Sequence, residues 1–79
     1  MSRAAPVPPH VIARRQQIGR RIRAVRLARN LTQEAVALRI GMDRATYVRI
    51  EQGQASPLLD TFILIADALG VPLSELVRE

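Results

Sequence analysis

A chain of 79 residues is long enough for one thin core, and its 48% hydrophobic content can fill that core only with aliphatic side chains, because Tyr47 and Phe62 are its sole aromatics. No cysteine is present, which excludes disulfides and thiolate metal sites, and no apolar run reaches the length of a membrane span or a signal peptide. The net charge of +5 is unevenly spread and carried entirely by arginine: the first thirty residues hold eight Arg and no acid, while the rest hold four Arg and seven acids. Such a field favours a polyanionic partner.

Residues 1–10 contain Pro6, Pro8 and Pro9 and no apolar period, so they read as a flexible arm ahead of a single domain at 11–79. The first helix is expected to start between Pro9 and Gln16 and to end near Arg29, with Ile18, Ile22 and Val25 forming a buried stripe at i, i+4, i+7. Asn30 suits the left-handed residue that closes it. Thr32 is a cap for a second helix, whose apolar positions are Ala35, Val36, Leu38 and Ile40, and Gly41 stops it. Asp43 caps a third helix running to Gln52, with Tyr47 and Ile50 turned inward and Gly53 at its end. Ser56 and Pro57 are expected to open a fourth helix from Leu58 to Leu69, with Leu59, Phe62, Ile65, Ala66 and Leu69 facing the core. Gly70 ends it, and Pro72 and Ser74 open a short fifth helix that turns Leu73 and Leu76 to the core, with Val77 a further candidate. There is no repeat and no strand-like alternation. Five helices with short links define an all-α domain.

The link Gly41-Met42-Asp43 is too short to let the second and third helices lie antiparallel over much of their length. It sets them across one another as a helix-turn-helix, from Leu31 to Gly53. In that motif one helix crosses the phosphate backbone while the next turns its N-terminal residues toward base edges.

At this point the sequence resembles the Cro/repressor-type (Xre) helix-turn-helix family. The matching residues are Ile18-Gly19, Arg26, Leu31-Thr32-Gln33-Glu34, Gly41, Arg44-Ala45-Thr46, Ile50-Glu51-Gln52-Gly53, Ser56-Pro57 and the run from Ile65 to Leu76. The resemblance implies a compact five-helix, lambda-repressor-like domain and a sequence-specific transcriptional regulator, usually a repressor, that binds a palindromic operator as a homodimer. It places Arg44, Ala45 and Arg49 at the base-reading positions, and Gln33 and Thr46 on the DNA backbone. Arg26 and Glu51 correspond to an internal ion pair.

Arg14, Arg15 and Val48 are further candidates for backbone contact, and Arg3 in the arm for entry into a groove. Arg20, Arg21 and Arg23 read as a solvated face. Leu58, Ile63 and Leu64 stand where polar or small residues are commoner in the family. Together with Val77 they form a candidate dimer surface.

A second reading is an antitoxin or similar module that binds a partner protein and its own promoter. The chain leaves no room for a ligand-sensing domain, and neither a small-molecule ligand nor a cofactor is expected. His10 has no companion ligands for a metal, and no carboxylate pair has a spacing suited to acid–base work, so an enzyme is not expected. The expected location is the cytoplasm.

Overall fold

The computed structural model describes residues 6–79, and the arm residue Arg3 lies outside them. Five helices follow in chain order: α1 (Pro9–Ala28), α2 (Gln33–Arg39), α3 (Arg44–Glu51), α4 (Leu59–Leu69) and α5 (Leu73–Val77). No strand occurs among the described residues. α1 packs on α3 and α5, α2 on α3 and α4, and α4 on α5. The core they enclose is aliphatic around one aromatic: Ile22, Val36, Ile50, Ile65, Leu69 and Leu76 surround the fully buried Tyr47.

Local chemistry sets most of the boundaries. Thr32 accepts from the Ala35 amide at the start of α2, and Asp43 accepts from the Thr46 amide at the start of α3. These caps satisfy amides that the first turn leaves without helical partners. The first four helices end alike. The amides of Leu31, Met42, Gln54 and Val71 reach back to the carbonyls of Arg26, Ala37, Arg49 and Ala66 around a residue of positive φ. This closure reverses the chain within three residues and keeps each link short. At the end of α1 the positive-φ residue is Asn30, with φ 57°.

α1 starts at Pro9, the earliest of the expected positions, because proline is well suited to a helix's first position, and His10 lies in its first turn. Three expectations fail. Ser56 and Pro57 do not open α4; its N-cap is Leu58, which makes no side-chain cap. Leu59 is 64% exposed instead of buried: it shares the phase of Ala66, but it lies in the first turn of α4, ahead of the stretch where Ile65, Ala66 and Leu69 meet the core. Leu38 is 79% exposed, and the small neighbour Ala37 takes the core position. With only seven residues, α2 leaves the phase of its apolar face to its tertiary partners.

Arg21 is also more than a solvated residue. Its Nε donates to the Glu75 carbonyl at 2.8 Å and its Nη2 to the Glu75 carboxylate at 3.1 Å, fastening α1 to α5. Arg20 and Arg23 are exposed.

Candidate nucleic-acid interface

The site is built on two helix starts and one buried carboxylate. α1 runs close against the C-terminal end of α3. A Cβ at Gly19 would stand 2.7 Å from the Ile50 carbonyl oxygen, so only glycine permits this approach. Gly53 is pinned similarly: it holds φ at +69° and meets the Gln16 backbone. This contact brings Arg26 of α1 to Glu51, the last residue of α3.

Arg26 and Glu51 are 6% and 4% exposed. Arg26 donates through Nε to Glu51 Oε2 at 2.6 Å and through Nη2 to Oε1 at 3.1 Å, while its Nη1 donates to the Leu31 carbonyl at 2.8 Å. Tyr47 Oη donates to Oε2, and Gln33 Nε2 donates to Oε1 at 3.1 Å. One carboxylate therefore receives donors from α1, α2 and α3. Burial pushes the Glu51 carboxyl up, but the bonds from Arg26, Tyr47 and Gln33 outweigh it and hold the group below its ordinary range. The same environment raises the Tyr47 hydroxyl, through burial first and then its bond to the carboxylate. The bond to Glu51 keeps Arg26 charged despite its burial.

The Gln33 bond was not visible in the sequence, where Gln33 read as a phosphate contact alone. Its carboxamide lies at the first position of α2, half-buried, with one Nε2 hydrogen committed inward. Leu31, Thr32, Gln33 and Glu34 line an open concavity together with Arg44, the first residue of α3. The starts of α2 and α3 thus open onto one depression, and free amides at helix starts attract anions.

α3 presents Arg44, Ala45 and Arg49 to solvent as one outward face, with half-buried Val48 between them. Thr46 sits beside this face. Its hydroxyl donates to Asp43 Oδ1 at 2.7 Å and accepts from Arg49 Nη2 at 3.3 Å. The Asp43 carboxyl is held low, chiefly by the Thr46 hydroxyl and then by the Thr46 amide, so it caps α3 as an anion.

The other sequence candidates are not gathered here. Arg14 bonds the Val77 carbonyl and Arg15 the Gly53 carbonyl, at 2.5 and 2.8 Å. Both guanidiniums are thereby drawn to element ends. Val77 is half-buried against the core, while Leu58, Ile63 and Leu64 are exposed. Such contacts join residues up to 63 positions apart, and nothing in the local pattern signals them. No cluster of metal-ligating side chains occurs among the described residues. Nor is any described helix long and apolar enough to cross a membrane.

Two short helices set across each other, the second with an exposed basic face, define a helix-turn-helix domain of the Cro/repressor (Xre) type. The chain belongs to the helix-turn-helix family HTH_3, whose model matches residues 22–76. It is 44% identical over 59 residues to the cryptic phage CTXphi transcriptional repressor RstR of Vibrio cholerae, covering 75% of this chain and 53% of that protein. It is 37% identical over 62 residues to the immunity repressor of Bacillus phage phi105, covering 78% and 43%. The chain spans about half the length of these two relatives. Among solved structures it is similar to the restriction-modification controller protein C.AhdI from Aeromonas hydrophila, with a TM-score of 0.79 and 34% identity over 81% of this chain and 97% of that one.

Proposed function

We propose that the chain is a sequence-specific DNA-binding transcriptional regulator, acting in the cytoplasm as a repressor and binding a palindromic operator as a homodimer. The observation that carries this reading is the outward face of α3. Arg44, Ala45 and Arg49 stand together in solvent beside the concavity that opens at the start of α2.

In this role α3 enters the major groove. Arg44 and Arg49 donate to guanine O6 and N7, and Ala45 meets a thymine methyl. Gln33 offers phosphate its remaining Nε2 hydrogen, and the first amides of α2 add to that contact. Thr46 reaches the backbone by turning its hydroxyl from Asp43, with Val48 packed alongside. Arg14 and Arg15 support the fold and contribute their charge at long range rather than by contact. Two copies present two recognition helices, so half-sites are expected about 34–36 Å apart. The relatives named as repressors support the regulatory role, and the likeness to a restriction-modification controller protein supports it as well.

In vitro selection of bound DNA, with wild type beside Arg44→Ala and Arg49→Ala, tests the assignment. Loss of preference at defined base pairs in each half-site is the expected result. Equal weakening on every sequence would reduce both arginines to phosphate contacts, and no enriched sequence with wild type would end the reading.

A further inference from the structure

The two exposed arginines of α3 differ in their surroundings. Arg44 is the first residue of the helix, and three positions before it stands Gly41, which has no side chain to offer. Arg49 lies in the last turn, and three positions before it stands Thr46, whose hydroxyl oxygen accepts from Arg49 Nη2 at 3.3 Å. Residues three apart on a helix are neighbours, and a long side chain leans toward the helix N-terminus. The bond therefore draws the Arg49 guanidinium back by about one turn, toward the end of α3 that faces base edges in a helix-turn-helix.

The Thr46 hydroxyl is itself set by Asp43. Asp43 Oδ2 accepts from the Thr46 amide at 3.0 Å, and Oδ1 accepts from the Thr46 hydroxyl at 2.7 Å. An ionised carboxylate only accepts, so the O–H points to Asp43 and the lone pairs of the oxygen are left for Arg49. One hydrogen of the guanidinium is then held. A guanidinium presents two edges, each with a parallel pair of N–H groups, so a hydrogen held on one edge leaves the other to meet guanine O6 and N7. Arg49 stays able to read a base, with fewer ways to be turned.

We propose that Thr46 is a positioning residue for base reading: its oxygen orients the Arg49 guanidinium before DNA arrives, and its O–H turns from Asp43 to a phosphate on binding. The proposal rests on the reading above, in which Arg49 meets a base and Thr46 the backbone, and adds the link between the two contacts. Turning the O–H does not release Arg49, because a hydroxyl that donates once still accepts through its lone pairs. Nor does it uncap α3, because Asp43 Oδ2 keeps the Thr46 amide. An arginine ordered before it meets its base loses less rotamer freedom on docking, and the gain is confined to DNA that offers the guanine. Thr46 thus sharpens preference at the base pair read by Arg49 and leaves that of Arg44 alone.

Binding titrations on the in vitro selected duplex and its single-base-pair variants test this with wild type, Arg49→Ala, Thr46→Val, Thr46→Ser and the double variant Thr46→Val/Arg49→Ala. Arg49→Ala identifies the base pair concerned. Thr46→Val is expected to weaken binding on every duplex and, in addition, to cut discrimination at that base pair about threefold to tenfold. Discrimination at the base pair that Arg44→Ala identifies should not change. Thr46→Ser should restore both properties, and in the Arg49→Ala background Thr46→Val should cause uniform weakening alone. Thermal melts of each variant check that α3 is kept, and Thr46→Ala repeats the measurement with a residue of high helix propensity. Uniform weakening by Thr46→Val, with the base pair of Arg49 discriminated as in wild type, overturns the proposal and leaves Thr46 a phosphate contact. Equal loss at the base pairs of Arg44 and Arg49 would mean a displaced helix, and a Thr46→Ser variant that behaves as Thr46→Val would mean that the hydroxyl is not the cause; either overturns it. An Arg49→Ala variant that loses preference at no base pair removes Arg49 as a reader and the proposal with it.

Discussion

Replacing Glu51 with alanine removes the acceptor for four hydrogen bonds at once: two from Arg26, one from Tyr47 and one from Gln33. Arg26 is left charged, 6% exposed, with only the Leu31 carbonyl as partner. Removing one member of a buried ion pair costs about 3–5 kcal/mol, most of it for the charge left behind. A domain of this length has a total stability of about 4–12 kcal/mol. Each kcal/mol moves the melting temperature by about 4–8 °C at this size. The Glu51→Ala variant is therefore expected to melt at least ~12 °C below wild type, or to be unfolded at room temperature. Glu51→Gln keeps an acceptor but not the charge and is expected to fall between the two. Thermal melts followed by far-UV circular dichroism, with urea titrations beside them, measure both variants. At a temperature where the variants remain folded, their DNA sequence preference should match wild type, because the outward face of α3 is untouched. A Glu51→Ala melting temperature within about 4 °C of wild type would refute the reasoning: the network would then contribute less than ~1 kcal/mol.

Gly19→Ala places a methyl group against the Ile50 carbonyl, and the overpacking is expected to cost about 1–3 kcal/mol, read as a lower urea midpoint; an unchanged midpoint would mean that α1 and α3 part freely. Thr32→Ala removes the cap of α2 and is expected to cost about 1 kcal/mol, measured in the same titration. The pH dependence follows from Glu51, whose folded carboxyl lies below its ordinary value of 4.5. Its contribution is present above that ordinary value and is lost as pH falls through the lower folded one. Melting temperature is therefore expected to fall as pH drops below about 4.5, and Glu51→Gln should flatten that fall.

What the sequence made legible was the local chemistry. Thr32 and Asp43 cap because their side chains reach amides three residues on, and Asn30, Gly41, Gly53 and Gly70 end helices by their own backbone freedom. These events need no knowledge of the rest of the fold. The core phase of short helices did need it. Leu38 and Ala37 are adjacent in α2, and only the position of α3 and α4 decides that alanine goes in and leucine stays out. The outward face of α3 could be read because Tyr47 and Ile50 fix its inner side. Gln33 was half legible: its place at the start of α2 follows from the Thr32 cap, but its bond to Glu51 spans 18 positions. The arginines of α1 were least legible, because a long side chain on a helix surface gives no sign of the distant carbonyl it will meet.

The chain has twelve arginines and no lysine, and five of those arginines share one kind of contact. Arg14, Arg15, Arg21, Arg29 and Arg39 all donate to backbone carbonyls at or near the ends of other elements. A carbonyl takes a hydrogen bond but cancels no charge. In Arg15, Arg29 and Arg39, which pair with no carboxylate among the described residues, the same guanidinium therefore serves as a clasp between helices and as a source of long-range positive potential. Salt separates the two roles, since it screens the potential and leaves a short directed bond largely intact. Lysine would preserve the potential, but its three donors leave one freely rotating point, whereas a guanidinium holds its donors in a rigid plane whose arms can reach separate partners. Polyanion attraction and helix docking are thus written into the same atoms, and a change that tunes one of them alters the other.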